Sequence, residues 1–378
     1  MSLHALIAPR LFTGEEMLPA RAVLIEDGRI LAVIAPADLP PDVPAERLPP
    51  DTLLVPGFID LQVNGGGGVL FNDRMDAAGL ATIARAHRRF GTTGMLPTLI
   101  TDTPEHLEAA LNAAAAAMAA QVPGILGLHV EGPFLNPARK GIHPPACIRA
   151  PTEADLTLLT RPFPGRLLVT LAPEMVPEPA IRRLVQAGVI VFAGHSDATA
   201  AQLQAGMAAG ISGVTHLFNA MSHFGSREPG MVGTTLATPD LFAGIIADGI
   251  HLHPLSLAAA FAAKGARRLL LVTDAMPSVG SDRPGFTLQS REIRLADGRL
   301  TDEAGTLAGA HLDMASAVRN AVRMAGIDLA DALHMASLTP AAAIGLDDRL
   351  GRIAAGFRAD LVALDAGLGV IRIWSAER

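Results

Sequence analysis

The sequence predicts an α/β fold: a (β/α)8 barrel, or TIM barrel, with a small β-sandwich domain built from the two ends of the chain. Eight short apolar runs alternate with segments of helical period between residues 57 and 273. Eight such units suit a barrel, whose typical size is roughly 250 residues. The segments before and after this region have β character. A doubly wound open sheet is the structural alternative, but it does not need polar residues at so many strand ends.

The first fifty residues predict β structure. Two apolar segments, residues 21–26 and 29–34, flank the pair Asp27-Gly28. An Asp-Gly pair between two such segments is a strong signal for a tight β-hairpin. A proline-rich stretch over residues 36–50 then separates this part from the alternating region.

The alternating region supplies the predicted barrel. Apolar runs without alternation are typical of parallel strands that are covered on both faces. The predicted strands are residues 57–63, 93–100, 125–130, 167–172, 189–193, 213–217, 242–247 and 269–273. The predicted helices between them are residues 77–90, 105–120, 178–187, 198–209 and 254–264. Glycine follows several of these helices, as is usual at a helix end.

The last hundred residues return from helix to β structure. A second Asp-Gly pair, Asp297-Gly298, predicts another hairpin, and residues 312–324 and 329–344 predict two helices. The tail from Gly351 onward again has β character. The predicted domains are therefore residues 1–55 with 345–378 for the small β domain, and residues 56–344 for the barrel.

Composition excludes several classes of partner. The chain has 378 residues, half of them hydrophobic, and a formal net charge of -7. Without a basic block, and with no Tyr and one Trp, a nucleic-acid partner is not expected. No apolar run reaches the length of a membrane span. A single cysteine, Cys147, and a start without the signal-peptide pattern favour the cytoplasm.

Four polar residues lie at or just after the ends of four predicted strands. They are Glu131, His195, His216 and Asp274. Catalytic groups of a barrel lie at the carboxyl ends of its strands, so we expect these side chains to meet. Two imidazoles and a carboxylate leave one coordination position open for water, which is the arrangement of a catalytic zinc site. Asp274 is then a candidate general base and acid.

Several motifs give the chain a family resemblance. They are Pro56-Gly-Phe-Ile-Asp-Leu-Gln-Val-Asn-Gly, His129-Val-Glu-Gly-Pro-Phe-Leu-Asn-Pro, Lys140-Gly-Ile-His, Ala193-Gly-His-Ser, Thr215-His-Leu-Phe-Asn-Ala-Met, Asp248-Gly-Ile-His and Val272-Thr-Asp-Ala. With these motifs in the right order, the chain resembles the N-acetylglucosamine-6-phosphate deacetylases of the amidohydrolase superfamily from about Leu11 to the C-terminus. The resemblance implies the same barrel, a metal-dependent hydrolase and a cytoplasmic homodimer.

One departure from the wider superfamily bears on the metal. Many amidohydrolases carry His-x-His after the first strand and bind a second metal there, whereas this chain has Gln62-Val63-Asn64. Amides are poor zinc ligands beside imidazole and carboxylate. We therefore predict one divalent ion, held by Glu131, His195 and His216, with Gln62 and Asn64 forming hydrogen bonds nearby. The ligand types favour zinc; iron, manganese, cobalt and cadmium stay open.

The resemblance also implies how substrate is held. His143 would bind the acetyl carbonyl or the sugar and stabilise the oxyanion. The phosphate would be held by Asn219, the backbone of Ala220, His251 and Arg227, the last supplied by the neighbouring subunit. His253 competes with His251 for this role. The backbone of Ala308, Gly309 and Ala310 would line the sugar pocket. His311 follows it where the family has a small residue, and would either alter sugar selection or face solvent.

The reaction implied is hydrolysis of N-acetyl-D-glucosamine 6-phosphate to D-glucosamine 6-phosphate and acetate, in amino-sugar catabolism. The alternative enzymes act on another acylamino sugar, such as N-acetylgalactosamine 6-phosphate, or on a cyclic amide. A metal-free binding protein on the same barrel is a different class. Such proteins generally lose a ligand or the last strand's aspartate, and here all four residues are present.

Overall fold

The central element of the fold is a parallel barrel. A computed structural model describes residues 3–376. Its eight-stranded parallel sheet follows the chain order from the first strand to the last, and a parallel bridge between Val63 and Ala275 joins the two ends of that sheet. The strands are β1 Phe58–Val63, β2 Thr92–Ile100, β3 Gly127–Glu131, β4 Arg166–Leu171, β5 Ile190–Ala193, β6 Gly213–Val214, β7 Phe242–Ile246 and β8 Leu269–Val272. The predicted barrel is confirmed, with a strand inside or overlapping each predicted run.

Helices cover the outside of the barrel. In the described residues they are α1 Ala77–Arg88, α2 Pro104–Ala119, α3 Glu153–Leu159, α4 Glu178–Gln186, α5 Ala200–Ala209, α6 Gly230–Ala237, α7 Pro254–Lys264, α8 Met314–Ala325, α9 Leu329–Ala336 and α10 Leu338–Ala343. Several begin at side-chain caps; Thr199, for example, accepts from the backbone of Gln202, whose side chain bonds back to Thr199. Such reciprocal caps satisfy amides that have no partner within the helix. The sequence did not predict the short helices α3 and α6.

The predicted single helix over residues 329–344 is wrong. Helix α9 ends at Ala336 and α10 starts at Leu338, with Ser337 in a non-helical conformation between them. The cause is Pro340. It has no N–H to donate to the carbonyl of Ala336, and its ring would clash with that carbonyl in a continuous helix. As the third residue of a new helix it needs no intrahelical acceptor.

Strands from both chain ends form one seven-stranded sheet. They are His4–Phe12, Met17–Glu26, Arg29–Ile34, Ala45–Arg47, Leu53–Pro56, Leu361–Leu364 and Val370–Trp374. The Asp27-Gly28 hairpin is confirmed, because both residues adopt the positive φ that the tight turn requires. Buried residues such as Leu6, Val23 and Leu361 give this sheet its own core. The predicted small β domain from both ends is thus present; its exact limits stay a prediction, and residues 1, 2, 377 and 378 lie outside the described range.

A three-stranded sheet lies beside the mouth of the barrel. Its strands are Gly285–Leu288, Arg291–Ala296 and Arg299–Thr301, and Asp297-Gly298 forms the predicted hairpin turn between the last two. Leu288 and Ile293 pack against Ile100, Ile142 and Met276. The insertion after the last barrel strand therefore builds one side of the region above the strand ends. Within residues 3–376, no helix is both long and apolar enough to cross a membrane.

Candidate active site

Three buried side chains converge at the carboxyl end of the barrel. Glu131 is the last residue of β3, and His195 and His216 follow β5 and β6 by two residues. The Nε2 atoms of the two histidines are 3.1 Å apart. They lie 3.3 Å and 3.1 Å from Oε1 of Glu131. Each residue is at most 5% exposed, so the sequence prediction that these three side chains meet is correct.

This triangle fits a divalent metal. In tetrahedral coordination with bonds of 2.0–2.1 Å, ligand atoms lie about 3.3 Å from one another, close to the observed spacings. Burial alone would oppose ionisation of Glu131, but its hydrogen bonds with His195 and His216 outweigh burial and hold its pKa well below the usual range. A buried, ionised carboxylate facing two imidazoles suits a borderline cation such as Zn²⁺.

The backbone of the strand ends is unusual. His195, His216 and Asp274 all have positive φ, at 49°, 34° and 50°. Left-handed geometry costs a residue with a side chain on the order of 1–3 kcal/mol, and it is common at active sites. Each of these residues turns out of its strand direction two positions after the last ladder pair of that strand. This turn directs the three side chains into the barrel mouth.

A backbone carbonyl orients one of the metal-ligand candidates. Nδ1 of His195 lies 2.9 Å from the carbonyl oxygen of Arg139. A carbonyl can only accept, so Nδ1 carries the proton and Nε2 presents its lone pair to the metal position. Support of this kind is general for metal-binding histidines. Nδ1 of His216 has no hydrogen-bond partner in the described part of the chain.

Asp274 lies beside the triangle, held by two amides. Asn64 Nδ2 donates to its Oδ1 at 2.7 Å, and Gln62 Nε2 donates to the same oxygen at 3.1 Å. Gln62 also donates to Oε1 of Glu131 at 2.9 Å. Burial and the charge of Glu131 raise the pKa of Asp274. The amides that replace His-x-His therefore connect the candidate base to the metal-ligand carboxylate.

His143 lies against two residues of the triangle. Its ring centroid is 4.3 Å from that of His195, and its Nε2 is 3.9 Å from Oε2 of Glu131. Its Nδ1 is 2.8 Å from the Thr101 hydroxyl. Burial and the neighbouring charge of His195 lower the pKa of His143 well below the ordinary value. The imidazole is therefore neutral, and Thr101 is a residue that the sequence reading missed.

These groups open into one cavity of about 500 Å³. A volume of this size suits a small organic ligand. The predicted residues that line it are Asn64, Glu131, His143, His195, His216, Asn219, Ala220, His251, Asp274 and Gly309. Apolar side chains that the sequence reading did not assign, including Ile100, Ile142, Ile246, Met276 and Leu307, form much of the remaining wall.

Other predicted residues lie off this wall. Arg227 is an exposed residue of the segment between β6 and α6, and its predicted contribution to a neighbouring subunit stays a prediction. Gln62 is buried and donates to Asp274. Ala308 and Ala310 are buried behind Gly309. His311 faces a separate depression, where its Nδ1 lies 2.9 Å from the Ser278 hydroxyl.

The competition between His251 and His253 has a geometric answer. His251 lines the cavity, and its Nδ1 lies 2.6 Å from Oδ2 of Asp248. His253 instead caps α7, where its ring nitrogen accepts from the backbone N–H of Leu255. Only His251 is therefore available to a ligand in the cavity.

Two donor side chains that are not part of the triangle also line the cavity. Nδ2 of Asn219 is buried and has no partner in the described residues. Arg139 is the only Lys or Arg among the wall residues described; its Nε and Nη2 both bond to Oδ1 of Asp197 at 2.8 Å. The sequence did not single out Arg139, which lies directly before the Lys140-Gly-Ile-His143 motif. The wall thus offers an anionic ligand one amide donor without a partner, on Asn219, and a guanidinium that is also paired with Asp197.

Sequence comparison agrees with this site. Residues 53–375 match the Amidohydrolase family. An N-acetylgalactosamine-6-phosphate deacetylase of a Shewanella species is 47% identical over 94% of this chain and 90% of its own length. An N-acetylglucosamine-6-phosphate deacetylase of Haemophilus influenzae is 36% identical over 97% of both chains.

Solved structures agree as well. The N-acetylglucosamine-6-phosphate deacetylase of Pasteurella multocida has a TM-score of 0.96 at 34% identity, covering 99% of this chain and 98% of that one. A mutant of the Mycobacterium smegmatis enzyme in complex with N-acetyl-D-glucosamine-6-phosphate has a TM-score of 0.91 at 32% identity, covering 100% and 99%. The chain therefore belongs to the amidohydrolase family, and within it to the N-acetylglucosamine- and N-acetylgalactosamine-6-phosphate deacetylases.

Proposed function

We propose that this enzyme hydrolyses the acetamide of N-acetyl-D-glucosamine 6-phosphate to D-glucosamine 6-phosphate and acetate, in amino-sugar catabolism. One observation carries the proposal. The triangle of Glu131, His195 and His216 shares a single cavity with Asp274 and His143. A ligand in that cavity would meet a metal, an acid/base and an oxyanion donor together, which are the parts that amide hydrolysis needs.

The metal requirement follows from the triangle. A divalent ion held by Glu131, His195 and His216 would lower the pKa of a coordinated water toward about 7 and polarise the amide carbonyl. One ion per chain is proposed, because this chain has two amides where many amidohydrolases have the two histidines that bind a second metal. Gln62 and Asn64 are already engaged with Glu131 and Asp274. Zinc is the proposed metal because of the ligand types.

Asp274 is the proposed proton carrier. Both amide donors contact its Oδ1, which leaves Oδ2 for the reacting water. The carboxylate takes a proton from water as the water oxygen bonds to the acetyl carbon. It then gives that proton to the sugar nitrogen as the C–N bond breaks, so acetate and a free amine leave. General acid–base transfer of this kind contributes typically about 10²–10⁴-fold to rate.

His143 is the proposed oxyanion donor. Its pKa is lowered, so a neutral ring must carry its single proton on Nε2 in order to donate toward the cavity. That tautomer requires the Thr101 hydroxyl to donate to Nδ1, across the observed 2.8 Å. The alternative acceptor of that hydroxyl, the carbonyl of Glu131, is more distant at 3.2 Å. A hydrogen bond to the developing oxyanion stabilises the transition state more than the ground state, and this difference lowers the barrier.

The phosphate is proposed to bind beside the donor groups of the cavity wall. Asn219, the backbone of Ala220 and His251 are the predicted contacts, and Arg139 is an additional cation on the same wall. Arg227 is proposed to reach the site of a neighbouring subunit, which would make the enzyme a homodimer. An arginine there would bind phosphate oxygens with its planar fork. A phosphorylated metabolite and a single cysteine also favour the cytoplasm as the proposed compartment.

N-acetyl-D-galactosamine 6-phosphate is a second candidate substrate. The observation that favours it is the 47% identity to the Shewanella enzyme, against 36% for the Haemophilus enzyme. The two sugars differ only in the configuration at C4, and the acetamide and phosphate are shared. The same metal site and phosphate contacts therefore serve either substrate.

Acetate release tests the proposal. The purified enzyme is assayed with defined divalent metals on both 6-phosphates and on unphosphorylated N-acetylglucosamine. Turnover of at least one 6-phosphate, with a much lower kcat/KM for the free sugar, is expected. Release of acetate from neither 6-phosphate, or equal kcat/KM with and without phosphate, would overturn the proposal and favour another amide or a cyclic amide.

A further inference from the structure

Glu174 connects three loops around the metal-ligand candidate His195. It lies three residues after the end of β4 and is partly buried. Its Oε1 accepts from Asn136 Nδ2 at 2.8 Å and from the backbone N–H of Asp197 at 2.7 Å. Its Oε2 accepts from the Ser196 hydroxyl at 2.6 Å. Glu174 is not a cavity-wall residue, so it has no direct part in binding substrate.

The segment that Glu174 holds is the one that turns His195 into the site. His195 has a φ of 49°, a geometry that persists only where the surroundings impose it. Two of the three bonds to Glu174 come from the residues directly after His195. Those bonds fix the direction in which the chain leaves the strained residue.

The third bond holds the segment on the other side of His195. The backbone N–H of Asn136 donates to the carbonyl of His195 at 2.9 Å, and its side-chain oxygen accepts from Ala138. Asn136 thereby starts the turn whose Arg139 carbonyl accepts from His195 Nδ1. By binding the Asn136 side-chain amide, Glu174 holds the turn that orients the imidazole.

We propose that Glu174 is a positioning residue for the metal centre, acting through Asn136, Ser196 and Asp197 to hold His195 in its ligand geometry. The inference rests on the proposed metal role of His195. Partners outside the ligand set typically change metal affinity or activity by roughly 10–100-fold when they are removed. Glu174 shares three hydrogen bonds with the two segments that flank one ligand, and so we expect its effect to fall in that range.

The test is metal affinity, measured independently of turnover. Zn²⁺ binding to metal-stripped wild type, Glu174→Gln and Glu174→Ala is measured by competition with a chromophoric chelator. We expect affinity to fall about 10–100-fold in both variants, and kcat to return to within a few-fold of wild type at saturating Zn²⁺. Glu178→Gln is the matched control, because Glu178 is an exposed carboxylate on α4 whose ion pair among residues 3–376 is with Arg182, at 2.9 Å; it should leave affinity unchanged.

A milder variant keeps the proposal testable if the Glu174 variants fail to fold. Ser196→Ala removes the hydroxyl bond to Oε2, and with it the bond that the hydroxyl accepts from the backbone N–H of Ala198. The other two bonds of Glu174 stay, so Zn²⁺ binding is expected to weaken in the same direction by a smaller factor. Unchanged Zn²⁺ affinity in the folded variants would overturn the proposal. A loss of kcat that saturating Zn²⁺ does not restore would also overturn it. Should wild type bind Zn²⁺ yet release no acetate from either sugar phosphate, the proposed function fails, while the affinity comparison still decides the role of Glu174.

Discussion

The side-chain amide of Asn64 donates to Oδ1 of Asp274 across 2.7 Å. The donor comes from the segment after the first barrel strand and the acceptor from the segment after the last. Across the same seam the backbone N–H of Asn64 donates to the carbonyl of Ala275 at 2.9 Å. The closure of the barrel therefore also sets the position of the candidate base.

Asn64→Ala should lower kcat about 10–100-fold, the cost of losing one hydrogen bond to a charged group. The loss of this donor would leave Asp274 held by Gln62 alone and would raise its pKa, so KM should change much less than kcat. Steady-state kinetics together with metal analysis measures both effects. Asn112→Ala, on the exposed face of α2, is the control. A wild-type kcat in Asn64→Ala with intact metal content would contradict this role.

Thr101→Val should lower kcat by about 10-fold or more through loss of one oriented donor, because valine keeps the shape of threonine but cannot donate to His143. Thr101→Ser keeps the hydroxyl and should restore most of the rate. The imidazole ¹⁵N shifts of His143 report the tautomer directly. They should indicate Nε2–H in wild type and a mixture in Thr101→Val. Nδ1–H as the dominant wild-type tautomer would refute the assignment.

Asp60 should make stability depend on pH. Burial raises its pKa to about 7, while its carboxylate accepts from the backbone N–H groups of Gln62 and Thr273. The folded state therefore keeps a proton that the unfolded state loses near its ordinary pKa of 3.8. Asp60 therefore contributes most to the free energy of unfolding below that pH. Its contribution falls as pH rises to about 7, by at most about 1.4 kcal/mol per pH unit.

Asp60→Asn isolates that contribution, because asparagine resembles the protonated acid and cannot ionise. Urea midpoints of wild type and variant are compared from pH 4 to pH 8. The variant should gain stability relative to wild type as pH rises to about 7, and the difference should then level off. A difference that is constant across this range would exclude Asp60 as the titrating group.

Arg227 should act between subunits. Arg227→Ala is expected to raise KM for the 6-phosphates, and Asp274→Asn to lower kcat by more than about 10²-fold. Mixed and re-associated, the two variants would form hybrids with one wild-type site, giving about a quarter of wild-type activity at low substrate under random pairing. Activity no greater than the sum of the separate variants would mean that Arg227 does not act in the partner's site.

Much of the fold could be predicted from the sequence. Apolar runs without alternation located all eight strands, because both faces of a parallel strand are buried. The abrupt change to Glu131, His195, His216 and Asp274 located the strand ends. The division within residues 329–344 was missed because helical period outweighed Pro340, whose effect depends on its place in the turn.

The contacts that support the site residues could not be predicted from the sequence. Thr101, Arg139 and Glu174 act through residues that are distant in sequence: Thr101 on His143, Arg139 on His195 and Glu174 on Asn136. No local pattern reports such pairings, since they arise only when neighbouring strand ends meet. The positive φ of His195, His216 and Asp274 is equally hard to predict from the sequence, because residues with a side chain seldom adopt it.

The most direct test of the account is acetate release by Asp274→Asn, with the metal content of the same sample measured. Asparagine keeps the shape and the neighbours of Asp274 but cannot take a proton from water. We predict one metal ion per chain, as in wild type, and a kcat on the 6-phosphate substrates lowered by more than about 10²-fold. Near-wild-type kcat with the metal in place would contradict the assignment of Asp274 as the proton carrier.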